Sequence, residues 1–334
     1  MRRTKHPAGI VHRLTLDSKA LANNRLGDPC ERIVDVYIPH GHDGAGLPLL
    51  MDLVGYTAGG PAHTAWKSFN ENVPERLDRL IGDGKMKPVV VAFPDCFTRL
   101  GGNQYVNSSV MGNYEDFLIG DVLPAVEVRF GCGGEGRRGV FGKSSGGFGA
   151  LIHAMRHPHV WSAAASHSGD AGFDHLYLAG FPNVLRALAK HGNSIEEWVK
   201  AFEAKPKVDS KDTMILMFLC QAASFDPDPE AFLGLRLPVT LDTCETIPER
   251  WGSWLAWDPA LMVKSHSAAI GKLKGFYLEC GADDQFDILY GTRRIHKILE
   301  ERGIAHRYEE FPDDHTNVDY RMDESLPYLA EVLS

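Results

Sequence analysis

The 334-residue chain lacks any surplus of positive charge: 35 lysines and arginines face 44 aspartates and glutamates, a formal net charge of -9 at pH 7. With a pI near 5.9, nucleic acid and anionic membrane surfaces, which select clustered basic side chains, are disfavoured, and a small molecule is the expected partner. Paired cysteines are missing too. Cys30, Cys96, Cys132, Cys220, Cys244 and Cys280 are scattered with no C-x-x-C pair, so metal-ligand spacing is absent and reduced, mostly structural thiols are expected. No apolar core follows Arg2, Arg3 and Lys5, so neither a signal peptide nor a membrane anchor is readable and the expected compartment is the cytoplasm. Internal repeats and low-complexity runs are absent. One further absence excludes nucleotide binding through a phosphate loop: Gly142-Lys143-Ser144 looks like the end of such a loop, but Arg137 stands where its first glycine is required.

What remains is ordinary globular material, 44% hydrophobic and 24% charged, long enough for one large α/β domain with an insertion or for two domains. Residues 32–39 are β-branched and aromatic up to a proline, and residues 47–54 are apolar enough for a strand buried on both faces. The spacing of Phe69, Val73, Leu77, Leu80 and Ile81 predicts a helix over 66–82, and residues 88–94 predict another buried strand. Helix is expected again over 114–130 despite Pro124, then strand to Phe141, helix over 146–157 and a short strand within 161–169. Residues 11–24 show no clean helical period. This alternation implies a mostly parallel sheet covered on both sides.

The rhythm breaks over 170–267, where 182–191, 194–202 and 210–223 look helical and no strand pair is evident. Trp251, Trp254 and Trp257 mark it as a packed or pocket-lining surface. Alternation then resumes with a strand at 275–280, a helix at 292–302, a strand at 305–311 and a last helix over 317–333.

Within the second half of this pattern, Gly142-Lys143-Ser144-Ser145-Gly146 matches G-x-S-x-G. Such a serine sits at a sharp strand-to-helix turn, and its neighbours two residues away must lack a Cβ to let the chain pass. The turn lifts the hydroxyl above the sheet and brings the amide of Ser145 to the same space, at a helix N-terminus where developing negative charge is stabilised. Ser144 is therefore the candidate nucleophile. The glycine-rich residues 55–60 follow an early strand, the place from which a second oxyanion donor comes, and the amide of Tyr56 is the candidate. A serine hydroxyl needs a histidine to accept its proton and a carboxylate to hold that histidine in the useful tautomer. Asp284 and His315 each follow a predicted strand, in the chain order Ser, Asp, His. Asp283 and Asp287 stand as alternative acids.

These motifs, with Val36-Tyr37-Ile38-Pro39, His157-Pro158, Ser168-Gly169, Gly281-Ala282-Asp283-Asp284-Gln285-Phe286 and Phe311-Pro312-Asp313-Asp314-His315, resemble the esterases of the α/β-hydrolase superfamily. That group includes S-formylglutathione hydrolases, enterochelin-type siderophore esterases, feruloyl and acetylxylan esterases and mycolyltransferases. The resemblance implies an α/β-hydrolase core over 1–169 and 268–334, with 170–267 a helical insertion forming a lid or cap over the active site. It assigns the triad to Ser144, Asp284 and His315, and implies hydrolysis of a small ester through an acyl-enzyme without metal or organic cofactor. An acyltransferase using the same triad and a non-catalytic binding protein on the same frame are the alternatives. Ser145 departs from the methionine of many members, and the loop 54–60 differs from that of S-formylglutathione hydrolases. His63, Trp66, Tyr105, His167 and Trp254 are the candidate lining residues. Of the assemblies open to such a chain, a homodimer is the commonest.

Overall fold

Strands buried at nearly every position, and mostly apolar, form the middle of the molecule, as expected of parallel strands covered on both faces. The computed structural model describes residues 5–334. Its strands are β1 (Ile10–Asp17), β2 (Glu31–Ile38), β3 (Leu49–Leu53), β4 (Val90–Pro94), β5 (Asn107–Ser108), β6 (Gly112–Asn113), β7 (Arg138–Lys143), β8 (Ala163–His167), β9 (Gly275–Gly281) and β10 (Arg307–Phe311). Eight make one sheet in the order β1-β2-β4-β3-β7-β8-β9-β10, and β5 pairs with β6 alone. β1 with β2 and β2 with β4 are antiparallel, and every pairing from β4 onward is parallel.

Alternation along each strand sends side chains into two cores. Leu49, Met51 and Leu53 join a large core with the elbow helix Ser145–Arg156, while Leu50 joins a smaller one with the helices Val73–Gly82 and Met322–Leu333. Val90 and Ala92 face the first, Val91 and Phe93 the second.

Three local departures from the sequence pattern have physical causes. β1 carried no readable signal because it is an edge strand with every residue at least partly exposed; only Leu14 and Leu16 pack on the core. The helix expected over 66–82 begins at Val73. Asn72 accepts from the Glu75 amide at 2.8 Å while Glu75 accepts from the Asn72 amide at 3.1 Å, a capping box with proline in the first turn. Between Tyr114 and Phe130 the chain is helical but widens to a π-turn over Phe117–Val122, with the Leu123 amide bonded to the Leu118 carbonyl. Pro124 has no amide to continue the regular ladder, and the wider turn absorbs it.

Residues 170–267 are helical where expected, at Phe181–Ala189, Ile195–Glu203 and Ser210–Phe225, followed by Pro248–Leu255. Their aromatic side chains do not form a separate core. Phe225 lies 5.5 Å from Phe148 of the elbow helix, and Trp254 lies 5.5 Å from Phe225 and from Phe181. The helix Pro259–Ile270, counted with this segment in the sequence, packs against the elbow helix and the helix Ile288–Glu301. No helix among the described residues is long and apolar enough to cross a membrane.

Candidate active site

The turn from β7 into the elbow helix places Ser144 at φ 57°, ψ −125°, a backbone conformation that a residue with a side chain adopts only under restraint. The restraint is visible in its neighbours. A Cβ on Gly142 would stand 2.3 Å from the Leu53 carbonyl oxygen, and one on Gly146 would stand 1.7 Å from it. Both glycines are therefore required for β3 to lie against the turn. The Ser144 amide donates to the His167 carbonyl at 3.0 Å, and its own carbonyl accepts from Phe148 at 2.8 Å to start the helix. Ser145 is the first residue of that helix, and the first amides of a helix have no intrahelical acceptor.

Asp284 follows β9 and His315 follows β10, adjacent strands paired in register from Arg307↔Tyr277 to Phe311↔Gly281. That adjacency joins residues distant in sequence: His315 Nδ1 donates to Asp284 Oδ2 at 2.7 Å. The carboxylate is buried and its Oδ1 accepts from the Phe286 amide at 3.0 Å. His315 is further held by its own amide donating to Gln285 Oε1 at 2.9 Å and by the Phe286 ring, packed edge to face with centroids 4.8 Å apart. Asp283 and Asp287 are exposed, and Asp287 instead starts the helix Ile288–Glu301.

Ser144 and His315 line one cleft of about 510 Å³ together with Gly55, Tyr56, Thr57, His63, Lys143 and Asp319. Met214, Met217 and Phe286 supply its apolar wall. Gly55 lies against the elbow, where an added Cβ would be 3.8 Å from that of Ser144, so the loop carrying Tyr56 approaches the serine closely. A larger cavity of about 740 Å³ lies next to this one, sharing Asp319 and lined by Lys67, Arg76, Arg79 and Asp323. It contains neither Ser144 nor His315, and its arginines are already paired with Glu71 and Asp323.

Of the expected lining residues, only His63 reaches the cleft. Trp66 precedes the capped start of its helix and is 68% exposed. Tyr105 is buried beneath Gly149 and donates its hydroxyl to the Val54 carbonyl at 2.6 Å, bracing the loop after β3. His167 is buried between Glu279, at 2.6 Å from Nδ1, and Ser325, at 2.8 Å from Nε2. Trp254 is wholly buried in the aromatic cluster of residues 177–257. In Tyr105, His167 and Trp254 a ring large enough to line a pocket fills the core instead, whereas Trp66 stands exposed.

Sequence reasoning missed Asp52, Lys143 and Asp319. Asp52 is a buried carboxylate at the end of β3, with Oδ2 accepting from His63 Nδ1 at 2.6 Å. A lone acid inside the apolar run of residues 47–54 was the available signal. Burial disfavours the charged imidazole, but Asp52 outweighs it and holds His63 above the ordinary histidine value. Lys143 is pulled below its ordinary value by burial, against the opposing pull of Asp319, Asp284 and Asp314. Cys280 is buried below the site, which pushes its thiol far up, out of the range of a nucleophile. Among the described residues no group of three or more His, Cys, Asp or Glu side chains is arranged to hold a metal ion.

A family model described as Esterase matches residues 25–323. Esterase Rv1288 of Mycobacterium tuberculosis strain H37Rv is 40% identical over 92 residues, which are 25% of this chain and 19% of that protein; the chain thus matches less than a fifth of its curated relative. Among solved structures, a ferulic acid esterase superposes with a TM-score of 0.62 at 18% identity, covering 97% of this chain and 99% of that one. An S-formylglutathione hydrolase from Agrobacterium tumefaciens superposes with a TM-score of 0.57 at 15% identity, covering 98% and 96%. These superpositions show that the fold is that of the α/β-hydrolase esterases, a mostly parallel sheet flanked by helices.

Proposed function

Because the chain belongs to the Esterase family, whose model spans residues 25–323, we propose that it hydrolyses a small carboxylic ester through an acyl-enzyme formed on Ser144. The observation that carries this reading is the Asp284–His315 hydrogen bond of 2.7 Å in a cleft shared with Ser144 at its strained turn. Ser144 Oγ attacks the ester carbonyl, and His315 takes its proton through Nε2, the ring nitrogen left over from the Asp284 bond. Asp284 keeps His315 in that tautomer and stabilises the imidazolium as it forms. Negative charge develops on the carbonyl oxygen, where the amides of Ser145 and Tyr56 receive it. His315 then returns the proton to the departing alcohol, and water repeats the cycle to free the acid.

Residues 170–267 act in this reading as a cap. The helix Ser210–Phe225 brings Thr213, Met214 and Met217 to the cleft, so the acyl or alcohol group meets an apolar surface that the sheet alone does not supply. Replacing Ser144 with alanine is expected to lower kcat on short-chain 4-nitrophenyl esters by roughly 10³-fold or more and to abolish labelling by a fluorophosphonate. An unchanged rate in the folded variant sinks the proposal.

A further inference from the structure

We infer that the substrate of this cleft carries a carboxylate beside its ester, bound by Lys143 and His63; the inference rests on the ester-hydrolysis reading and adds the substrate class. Lys143 and His63 come from different elements, one the last residue of β7 just before Ser144 and the other in the short helix Pro61–Thr64 after β3, and both line the cleft with Ser144. The Lys143 side chain makes no hydrogen bond or ion pair to any described residue. Each carboxylate near it is engaged elsewhere: Asp319 accepts from Lys67 Nζ at 2.8 Å, Asp284 from His315 at 2.7 Å and Asp314 from the Thr316 amide at 2.6 Å. A half-buried ammonium without a partner is costly and is relieved by an incoming anion.

His63 completes the arrangement. Its Nδ1 is turned to Asp52 Oδ2, whose Oδ1 is buried with no partner at all, so the ring is fixed and Nε2 is the nitrogen left for the cleft. Two single-point donors, one at the end of β7 and one on a short helix, thus line the cleft that holds the serine. Asp319 lines the same cleft, and Asp284 and Asp314 lie near enough to act on Lys143, which favours a monoanion over a phosphate dianion, since each added negative charge meets these carboxylates.

The test uses two matched pairs: 4-nitrophenyl hydrogen succinate against its methyl ester, with the charge on the acyl side, and 4-acetoxybenzoate against 4-acetoxybenzamide, with the charge on the alcohol side. After subtraction of spontaneous hydrolysis, kcat/KM of the full chain is expected to favour the carboxylate by about tenfold or more in at least one pair, the size of a charged hydrogen bond. Lys143→Gln and His63→Gln are each expected to reduce that ratio by about fivefold or more. No preference in the wild-type chain, or a ratio unchanged in Lys143→Gln, overturns the inference while leaving ester hydrolysis intact. Turnover of none of the four esters defeats ester hydrolysis itself. The anion site is then decided by calorimetric binding of monomethyl succinate: binding weakened about tenfold by Lys143→Gln sustains it, and absence of binding overturns it.

Discussion

Ser144 and Asp284 hold their places by opposite means. Ser144 is forced into a strained turn by packing around two glycines, whereas Asp284 is held by its own hydrogen bonds, to the Phe286 amide and to His315. A residue held by hydrogen bonds can be changed without disturbing the backbone, which makes Asp284 the sharper probe of tautomer control. Asp284→Asn preserves shape but offers an amide where a carboxylate accepted from Nδ1, and kcat is expected to fall by roughly 10³- to 10⁴-fold with little change in KM. Steady-state kinetics on a 4-nitrophenyl ester check this. Asp283→Asn, at an exposed position, is expected to change neither constant by more than about twofold. The choice between these neighbours was open in the sequence because both are acids after the same strand. Burial beside His315 separates them.

The strand-turn-helix unit from β7 to the elbow helix was legible because every cause of its shape is local: an apolar strand, glycines at fixed offsets and a helix-period pattern behind them. Its tolerance is not local. The atom that forbids a side chain at Gly146 is the Leu53 carbonyl of β3, more than ninety positions earlier in the chain. Gly146→Ala is expected to cost about 3 kcal/mol or more, since neither the strand nor the helix start can withdraw without breaking its hydrogen bonds. Urea denaturation measures it, and a loss below about 1 kcal/mol contradicts the close approach. Other elements were misread for equally physical reasons. The edge strand β1 shows no apolar alternation because it has little to bury, and the helix expected from residue 66 starts at its capping box six residues later.

Across the molecule, the C-terminal helix is tied to the sheet by one buried charge cluster. Glu279 of β9 accepts from Arg321 at 2.7 Å, from the Tyr277 hydroxyl at 2.6 Å and from His167 of β8 at 2.6 Å. Burial opposes ionisation of Glu279, but His167 and Arg321 outweigh it and hold the carboxyl below its ordinary value of 4.5. A carboxyl lowered in the folded state binds its proton more readily when unfolded. Its contribution is therefore complete above the unfolded value and is lost as pH falls below it toward the folded one. Unfolding free energy is expected to decline more steeply below about pH 4.5 in the wild-type chain than in Glu279→Gln, as urea titrations at stepped pH would reveal; parallel profiles would remove Glu279 from the acid response. The same cluster explains why His167, at a strand end beside the elbow, serves the fold and does not line the cleft.

By itself the sequence determined the alternation of the central strands and helices from residue 32 onward, the turn at Ser144 and the two later segments carrying Asp284 and His315, because each depends on residues within a few positions of one another. Tertiary structure alone decided which side chains share the cleft. His63 is fixed by a carboxylate eleven residues before it, Lys143 stands free because three acids near it are engaged elsewhere, and Trp254 is buried by helices on either side. Burial and charge pairing are properties of neighbours in space, and no spacing along the chain records them.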